Sequence, residues 1–228
     1  MTVRGDKVGG TENQQALRER EIARYDQAYF STHYWAEDIG KKGGGNRGLS
    51  YSDPLHIQRF AFLADRLVSG FEFKTCLDAG CGMGGMMNEL IGRGKVAAGC
   101  DASPTAILSC QERGLRVKQA RLDNLPYPSN SFDLVFCSDV LEHLLVFDIH
   151  NAATELVRVA RQFLVLTINL DNPYEFHPTI LSRSTWMSLF LSIPNVAHLS
   201  QVERDIQENS DDRHPEYEWF CFSLGGVH

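Results

Sequence analysis

From Lys74 onward the sequence alternates short apolar runs with segments of helical periodicity. The runs predicted as strands are Thr75–Ala79, Lys95–Asp101, Arg116–Arg121, Phe132–Ser138 and Phe163–Asn169. The helices predicted between them are about Gly84–Arg93, Pro104–Arg113 and Asp148–Arg161. This alternation is typical of βαβ units, which build parallel sheets covered by helices. It restricts the chain to a small group of α/β folds.

The segments on either side of this alternation complete the predicted architecture. The remaining predicted elements are helices at about Gln15–Ala28, Asp53–Val68 and Ser184–Leu191, and strands at Val196–Glu203 and Glu216–Leu224. The predicted fold class is α/β, with a doubly wound, mostly parallel seven-stranded sheet, helices on both faces and an N-terminal helical cap.

The sequence also predicts a division of the chain into two parts. Residues 1–72 are interpreted as a polar tail, the helical cap and a glycine-rich lid, and residues 73–228 as the ligand-binding domain. Three successive glycines within Lys41–Gly48 oppose regular structure, because glycine loses the most backbone entropy on ordering. We expect the segment Tyr25–Gly48 to act as a lid over bound ligands.

Charge and composition exclude several classes of protein. The net charge of −7 argues against a protein that tracks a phosphate backbone, so we expect no nucleic-acid partner. The basic residues near the third strand, Arg113, Arg116, Lys118 and Arg121, are interpreted as a solvated edge of helix and strand. The polar start of the chain and the lack of a long apolar run predict a cytoplasmic protein without membrane contact. The six cysteines form no CxxC pair, and we assign no metal.

The segment Cys76–Gly85 carries the clearest functional signal, because an apolar strand leads through Asp78 into a glycine-rich turn that opens a helix. The glycines also satisfy the GxGxxG dinucleotide fingerprint, and Asp101 falls where its ribose-binding acid would be. Asp78, however, would repel a pyrophosphate at this turn, whereas it suits the ammonium group of a methionine moiety. The motif therefore favours an adenosyl sulfonium ligand over a dinucleotide.

Three motifs occur in a defined order along the chain: LDAGCGMGG at 77–85, the strand ending in Asp101, and LPYPSNSFDLVFCSDVLEHL at 125–144. With these motifs the chain resembles the class I (Rossmann-like) S-adenosylmethionine-dependent methyltransferases, in particular their small-molecule branch. The resemblance runs from about Thr75 to Leu145. It implies S-adenosylmethionine as cofactor and methyl transfer to O or N of a small acceptor, in the tailoring of natural products such as sugars, amines or polyketides.

The same resemblance implies a set of cofactor-binding positions. They are Asp78, Gly80, Cys81, Gly82, Asp101, Ala102, Leu122, Asp123, Ser138 and His143. Asp78, Gly80 and Gly82 would line the methionine portion, Asp101 would bind the ribose and Ala102 would lie beside the adenine. Ser138 and His143 would approach the cofactor and the acceptor cavity.

The family normally has an Asp near the adenine amino group where this chain has Arg121. Leu122 would then offer a backbone contact, and Asp123 would take the missing role.

Methyl transfer is a displacement at carbon that mainly requires alignment of the nucleophile and a destination for its proton. A histidine is the natural general base near neutral pH, and the catalytic candidates are His143 and His177, with His56 third. Each has a structural alternative. His143 would brace the loop after the fourth strand, His177 would belong to a turn before Pro178, and His56 would lie on a helix surface.

Aromatic residues cluster before the glycine-rich segment and again after the fifth predicted strand, and they are candidates for acceptor binding. The substrate-binding candidates are Tyr25, Tyr29, Tyr34, Trp35, Tyr174 and His177. Aromatic walls with polar tips suit a small ring-containing acceptor, but they would equally seal the N-terminal helices against the sheet. Methylation of a protein or tRNA group, and a non-catalytic S-adenosylmethionine-binding module, remain alternatives, the latter because of Arg121. The sequence leaves a homodimer open.

Overall fold

The computed structural model describes residues 13–31, 54–170, 176–208 and 217–225. Its helices are α1 (Gln14–Ala23), α2 (Gln27–Ser31), α3 (Pro54–Gly70), α4 (Gly85–Gly92), α5 (Pro104–Glu112), α6 (Ile149–Val159), α7 (Arg183–Leu191) and α8 (Ser200–Glu208). Its strands are β1 (Thr75–Ala79), β2 (Val96–Asp101), β3 (Val117–Gln119), β4 (Phe132–Ser138), β5 (Ala160–Asn169), β6 (Val196–His198) and β7 (Tyr217–Leu224). Two 3₁₀ turns, Leu141–His143 and Val146–Asp148, connect β4 to α6.

The seven strands form one sheet in the order β3-β2-β1-β4-β5-β7-β6. The first five are parallel, and β7 runs antiparallel between β5 and β6. The chain direction across the sheet reverses at β1, which pairs with β2 on one side and β4 on the other. The predicted α/β fold with a mostly parallel seven-stranded sheet is confirmed. Open sheets of this kind bind ligands at the carboxyl ends of the strands that flank such a reversal.

Two apolar clusters cover the two faces of the sheet. One contains α6 and α7, whose Leu156 and Trp186 are both 0% exposed. The other contains α3 and α4, represented by Leu67 and Leu90, which are also fully buried. Helix α3 therefore packs into the same core as the sheet, although it precedes the predicted domain boundary. The boundary between residues 72 and 73 stays a prediction.

Helix α1 is held against the carboxyl edge of the sheet by polar contacts. The guanidinium of Arg18 donates to both carboxylate oxygens of Asp148, with Nε at 3.0 and 3.1 Å. The hydroxyl of Ser103, which caps the N-terminus of α5, donates to the backbone carbonyl of Tyr25. These contacts position the start of the described chain over the ends of β2 and β4.

Several predicted elements differ from the structure. The helix predicted to end at Arg161 ends at Val159, and β5 begins at Ala160 instead of Phe163. The third strand is shorter than predicted and spans Val117–Gln119. The predicted helix over Gln15–Ala28 is two helices, α1 and α2, with a break at residues 24–26. The strand predicted at Val196–Glu203 ends at His198, and helix α8 follows. The predicted lid lies mostly in residues that the structure does not describe, since only Tyr25–Ser31 of it is described. No helix in the described ranges is both long and apolar enough to cross a membrane.

Candidate cofactor site and active site

The turn after β1 requires glycine at two positions that are separated by one residue. Gly80 and Gly82 have φ angles of +83° and +47°, a region that side chains with a Cβ rarely adopt. A Cβ on Gly80 would also lie 2.3 Å from a methyl carbon of Val140. The turn is pinned to β2 because the N–H groups of Gly80 and Cys81 both donate to the carbonyl of Cys100, at 2.8 and 2.9 Å. The backbone therefore reaches the sheet edge without side chains in the way.

Asp101, the last residue of β2, joins the glycine turn to the start of α5. One carboxylate oxygen accepts from the N–H of Gly82 at 2.9 Å, and the other accepts from the N–H of Ser103 at 2.8 Å. Burial raises the pKa of Asp101, and these backbone donors oppose that shift. Each oxygen retains a further acceptor position, as ribose hydroxyls require.

Asp78 is the second-last residue of β1, and its side chain is buried, with 4% exposure. Burial, reinforced by the charges of Cys110 and Asp101, raises its pKa to about 8. Within the described chain its Oδ2 has no hydrogen-bond partner. A buried carboxyl with an unused oxygen beside a glycine turn fits a cationic ligand group, because such a group would stabilise its ionised form.

A cavity of about 850 Å³, measured together with the space at its open mouth, lies at the carboxyl ends of β1, β2 and β4. The predicted site residues that line it are Tyr25, Tyr29, Gly80, Gly82, Asp101, Ala102, Leu122 and His143. The structure thus brings residues from the N-terminal helices, the glycine turn and the loop after β4 to one surface.

Other predicted site residues lie behind that surface or outside the described chain. Those that do not line the cavity are Asp78, Cys81, Asp123, Ser138 and His177. Ser138 is turned toward β5, where its hydroxyl lies 2.6 Å from that of Thr167. Tyr34, Trp35 and Tyr174, and the side chain of His56, fall outside the part of the chain that the structure describes.

Asp123 takes part in an ion-pair network instead of lining the cavity. Its carboxylate accepts two hydrogen bonds from Arg121, at 2.9 and 3.0 Å, and Arg121 also donates to Asp148 at 2.8 Å. Arg18 completes the network through Asp148. The Arg in place of the family's usual Asp is therefore matched by two carboxylates. At this point of the cavity, Leu122 and Arg121 form the wall.

The two candidate catalytic histidines pack against each other. Their rings meet edge to face at 86°, with centroids 4.6 Å apart, and the Tyr25 hydroxyl lies 3.1 Å from Nδ1 of His143. Burial and the neighbouring ring of His177 lower the pKa of His143 to about 3, against a hydrogen bond with the backbone of Phe176 that raises it. The imidazole of His143 is therefore neutral at pH 7.

Several site residues were not predicted from the sequence, among them Asp139, Val140 and Glu142. Asp139 and Val140, directly after β4, line the cavity. Asp139 has a φ of +54° and forms an ion pair with Arg59 of α3. Glu142, beside His143, is fully buried with its Oε1 accepting from the N–H of Asn169 at 2.9 Å. An acid inside the apolar segment VLEHL was the available signal, since a buried carboxylate requires partners.

Comparison with known proteins finds similarity over the central part of the chain. The family described as a methyltransferase domain matches residues 77–163, the segment that carries the glycine turn and the acids. An uncharacterized methyltransferase of Schizosaccharomyces pombe is 38% identical over 73 residues, which cover 30% of this chain and 28% of the relative. A probable S-adenosylmethionine-dependent methyltransferase of Mycobacterium tuberculosis is 29% identical over 124 residues, or 54% of this chain and 44% of the relative. Residues 77–163 thus resemble a methyltransferase domain. S-adenosylmethionine, the cofactor expected from the sequence, is also the one that the name of the Mycobacterium tuberculosis relative gives.

Solved methyltransferase structures share the fold. The magnesium protoporphyrin IX methyltransferase of Synechocystis superposes with a TM-score of 0.59 at 16% identity, covering 90% of this chain and 97% of that one. The chain spans about half or less of the length of the curated relatives that it matches, from 28% to 53%. The segment matched by the family, residues 77–163, leaves α1, α2, α3 and the chain after residue 163 outside it.

Proposed function

We propose that this methyltransferase transfers the methyl group of S-adenosylmethionine to an oxygen or nitrogen of a small molecule in the cytoplasm, as a tailoring step on a natural product. The observation that carries the proposal is the placement of Asp101. Its carboxylate is fixed on the glycine turn by Gly82 and Ser103, and it lines the cavity at the carboxyl ends of the strands.

The residues present fit the cofactor at both of its ends. Asp78 has a buried carboxyl oxygen without a described partner, and the ammonium group of a methionine moiety supplies the cation that such an oxygen lacks. At the other end, Asp101 has acceptor positions for two hydroxyls, and Ala102 and Leu122 offer apolar contact for a base. Gly80 and Gly82 keep the intervening surface free of side chains. Cys81 and Ser138 do not line the cavity, so they would support the cofactor-binding residues from behind this surface.

When bound, the cofactor supplies an activated methyl group on a positively charged sulfur. The chain itself has to orient the acceptor and exclude water. Tyr25 and Tyr29 form the wall on the side of the N-terminal helices, with their ring centroids 4.9 Å apart at 79°. Phe176 packs 5.3 Å from the Tyr29 ring, so the segment after β5 closes the same wall. This aromatic wall supports a small acceptor with an apolar or cyclic body.

His143 and His177 remain the candidate catalytic groups, with His143 on the cavity surface and His177 behind it. The lowered pKa of His143 makes it a weak proton acceptor at pH 7. An alignment role is therefore better supported than strong base catalysis. His143 would hold the acceptor atom, and Tyr25 would hold the ring of His143.

A mass-spectrometric screen tests the proposal. The full chain is incubated with S-adenosylmethionine and panels of sugars, amines and phenolics, and each acceptor is examined for the gain of one methyl group. We expect turnover in one class and none with tRNA or unfolded protein. Methylation of tRNA or protein alone would replace the small-molecule acceptor. Tight cofactor binding without turnover on any panel would support the non-catalytic module.

A further inference from the structure

Beside the cofactor cavity, two histidines and a buried acid meet at one place. Glu142 and His143 lie in the 3₁₀ turn after β4, and His177 follows β5 in the chain. One potential ligand atom from each residue lies within 4.8 Å of the other two. We propose that Glu142, His143 and His177 bind a divalent transition-metal ion.

Glu142 is the strongest reason for a cation at this place. Its side chain is fully buried, and Oε2 has no hydrogen-bond partner among the described residues. Oε1, by contrast, is anchored by the N–H of Asn169 at 2.9 Å. Asp139 adds negative charge close enough to interact with Glu142. A buried carboxylate oxygen without a partner is unfavourable, and a coordinated cation removes that deficit.

The histidines have the surroundings that metal-ligating histidines require. A ligating imidazole normally uses its second ring nitrogen for a hydrogen bond that fixes its orientation. The Tyr25 hydroxyl, 3.1 Å from Nδ1 of His143, can provide that support. The backbone of Phe176 is a second hydrogen-bond partner of this ring, so an ion would have to replace one of the two partners. His177 is 6% exposed, and its ring meets the ring of His143 at 86°. Both rings are thereby held in place before an ion binds.

The ligand set indicates the class of ion. Two imidazole nitrogens and one carboxylate are typical of Zn²⁺, Mn²⁺ or Fe²⁺ sites with open positions, whereas Mg²⁺ and Ca²⁺ prefer oxygen ligands. A separation of 4.8 Å is slightly larger than about 3–4 Å between ligands of one tetrahedral or octahedral ion. Small side-chain rotations would therefore complete the site. The absence of CxxC pairs led to the expectation of no metal. This set of ligands could not be found from the sequence, because the proximity of His177 to Glu142 depends on the fold.

A metal ion at this site would also narrow the chemical class of the acceptor. This part of the inference rests on the proposed function. Because His143 lines the cavity, an ion held there reaches the acceptor side of it. A hydroxyl oxygen bound to the ion would lose its proton to water, because coordination lowers its pKa. That oxygen then forms the bond to the methyl carbon, and the electrons of the broken carbon–sulfur bond stay on sulfur. The acceptor class would be a hydroxyl compound.

Metal binding is tested directly on the full chain after treatment with EDTA. Titration with Co²⁺ should give one saturable site per chain with visible d–d absorption, and Zn²⁺ should displace it. His177→Ala and Glu142→Gln should each weaken Co²⁺ binding by at least about 10-fold. His150→Ala is the matched control, since His150 is exposed on α6 and should leave the affinity unchanged.

The wild-type chain keeps the test decisive if a variant does not fold. Imidazole NMR signals of two histidines, assigned to His143 and His177, should shift when Zn²⁺ binds. The proposal is overturned by the absence of saturable Co²⁺ binding below about 1 mM, by unshifted imidazole signals, or by folded variants that bind like the wild type. S-adenosylhomocysteine affinity measured in EDTA separates the two proposals, because cofactor binding without metal binding rejects the metal site alone. Metal binding without methyl transfer rejects the proposed function alone.

Discussion

The carboxylate of Asp101 accepts a hydrogen bond from the backbone N–H of Gly82 at 2.9 Å, so the acid that ends β2 also fixes the turn that follows β1. Asp101→Asn removes one of the two acceptors that hold Gly82 and Ser103. We expect S-adenosylhomocysteine affinity to fall by at least about 10-fold, since a charge-assisted hydrogen bond contributes about 1.5–3 kcal/mol. Isothermal titration calorimetry measures the change.

Asp123→Asn is the matched control for that substitution. Asp123 pairs with Arg121 and does not line the cavity, so its loss should change the affinity by less than about 3-fold, or about 0.7 kcal/mol. An equal loss of affinity in both variants would show that Asp123 contacts the adenine, as the sequence analysis expected.

Gly80→Ala should destabilise the protein strongly. The new Cβ would lie 2.3 Å from Val140 at a φ of +83°, so backbone strain and overpacking add. We expect the free energy of unfolding to fall by about 2–4 kcal/mol in urea denaturation. The double variant with Val140→Ala should recover only the steric part.

Gly92→Ala is the control for this substitution, and it should stabilise the protein. Gly92 ends α4, and nothing lies within 4 Å of an added Cβ. Alanine there should raise the free energy of unfolding by up to about 1 kcal/mol. If both substitutions had the same effect, the close approach of Val140 to the glycine turn would be refuted.

The apolar patterning of the sequence was sufficient to place the centre of the sheet. Strands β1 and β4 begin and end as predicted, because both are short, almost wholly buried runs between turn residues. Helix α8 was missed in favour of a strand through Glu203. The buried carboxylate of Glu203 forms an ion pair with Arg183 of α7, and its Oε2 accepts a hydrogen bond from the N–H of Cys221 in β7 at 3.0 Å. These are tertiary contacts, which the periodicity of the sequence does not reveal.

In the site, too, local motifs were predictable from the sequence and tertiary contacts were not. Its glycine turn and acids are local motifs, and the sequence predicts them. The contacts of Tyr25 with His143 and of Arg18 with Asp148 join residues 118 and 130 positions apart. Such pairs depend on how the N-terminal helices cross the sheet edge. The acceptor side of the cavity therefore required the structure.

The ion pair between α1 and the loop before α6 should depend on pH. Burial alone would raise the pKa of Asp148, but the hydrogen bonds from Arg18 and Arg121 outweigh it and hold the pKa below its usual value. The stabilisation is therefore present above the unfolded pKa of about 3.9 and is lost as pH falls through the folded pKa. Asp148→Asn should lower the free energy of unfolding by about 1–3 kcal/mol at pH 7, and this difference should shrink in acid.

Asp65→Asn removes a comparable pair with Arg93 at the surface. Asp65 is 68% exposed, whereas Asp148 is 2% exposed, so its loss should cost less than about 1 kcal/mol. Denaturation of both variants at pH 7 and pH 3 makes the comparison. A pH-independent loss in Asp148→Asn would mean that packing, not charge, holds α1 in place.

Asp78 should lower the free energy of unfolding at neutral pH while it contributes to cofactor affinity. Its pKa is raised to about 8 by burial, so between about pH 4 and pH 8 the folded state keeps a proton that the unfolded state loses. The free energy of unfolding therefore falls as pH rises through that window. Asp78→Asn should be more stable than the wild type at pH 7 by about 1–3 kcal/mol and equally stable near pH 4. Its affinity for S-adenosylhomocysteine should fall. A variant that is less stable than the wild type at pH 7 would contradict the assigned protonation.

Calorimetric titration of the wild-type chain with S-adenosylhomocysteine tests the cofactor site most directly, with NADH titrated in parallel. The account predicts one site per chain, a dissociation constant on the order of 1–100 µM for the homocysteine compound, and no measurable heat with NADH. Saturable binding of NADH, or no binding of S-adenosylhomocysteine at millimolar concentration, would contradict it.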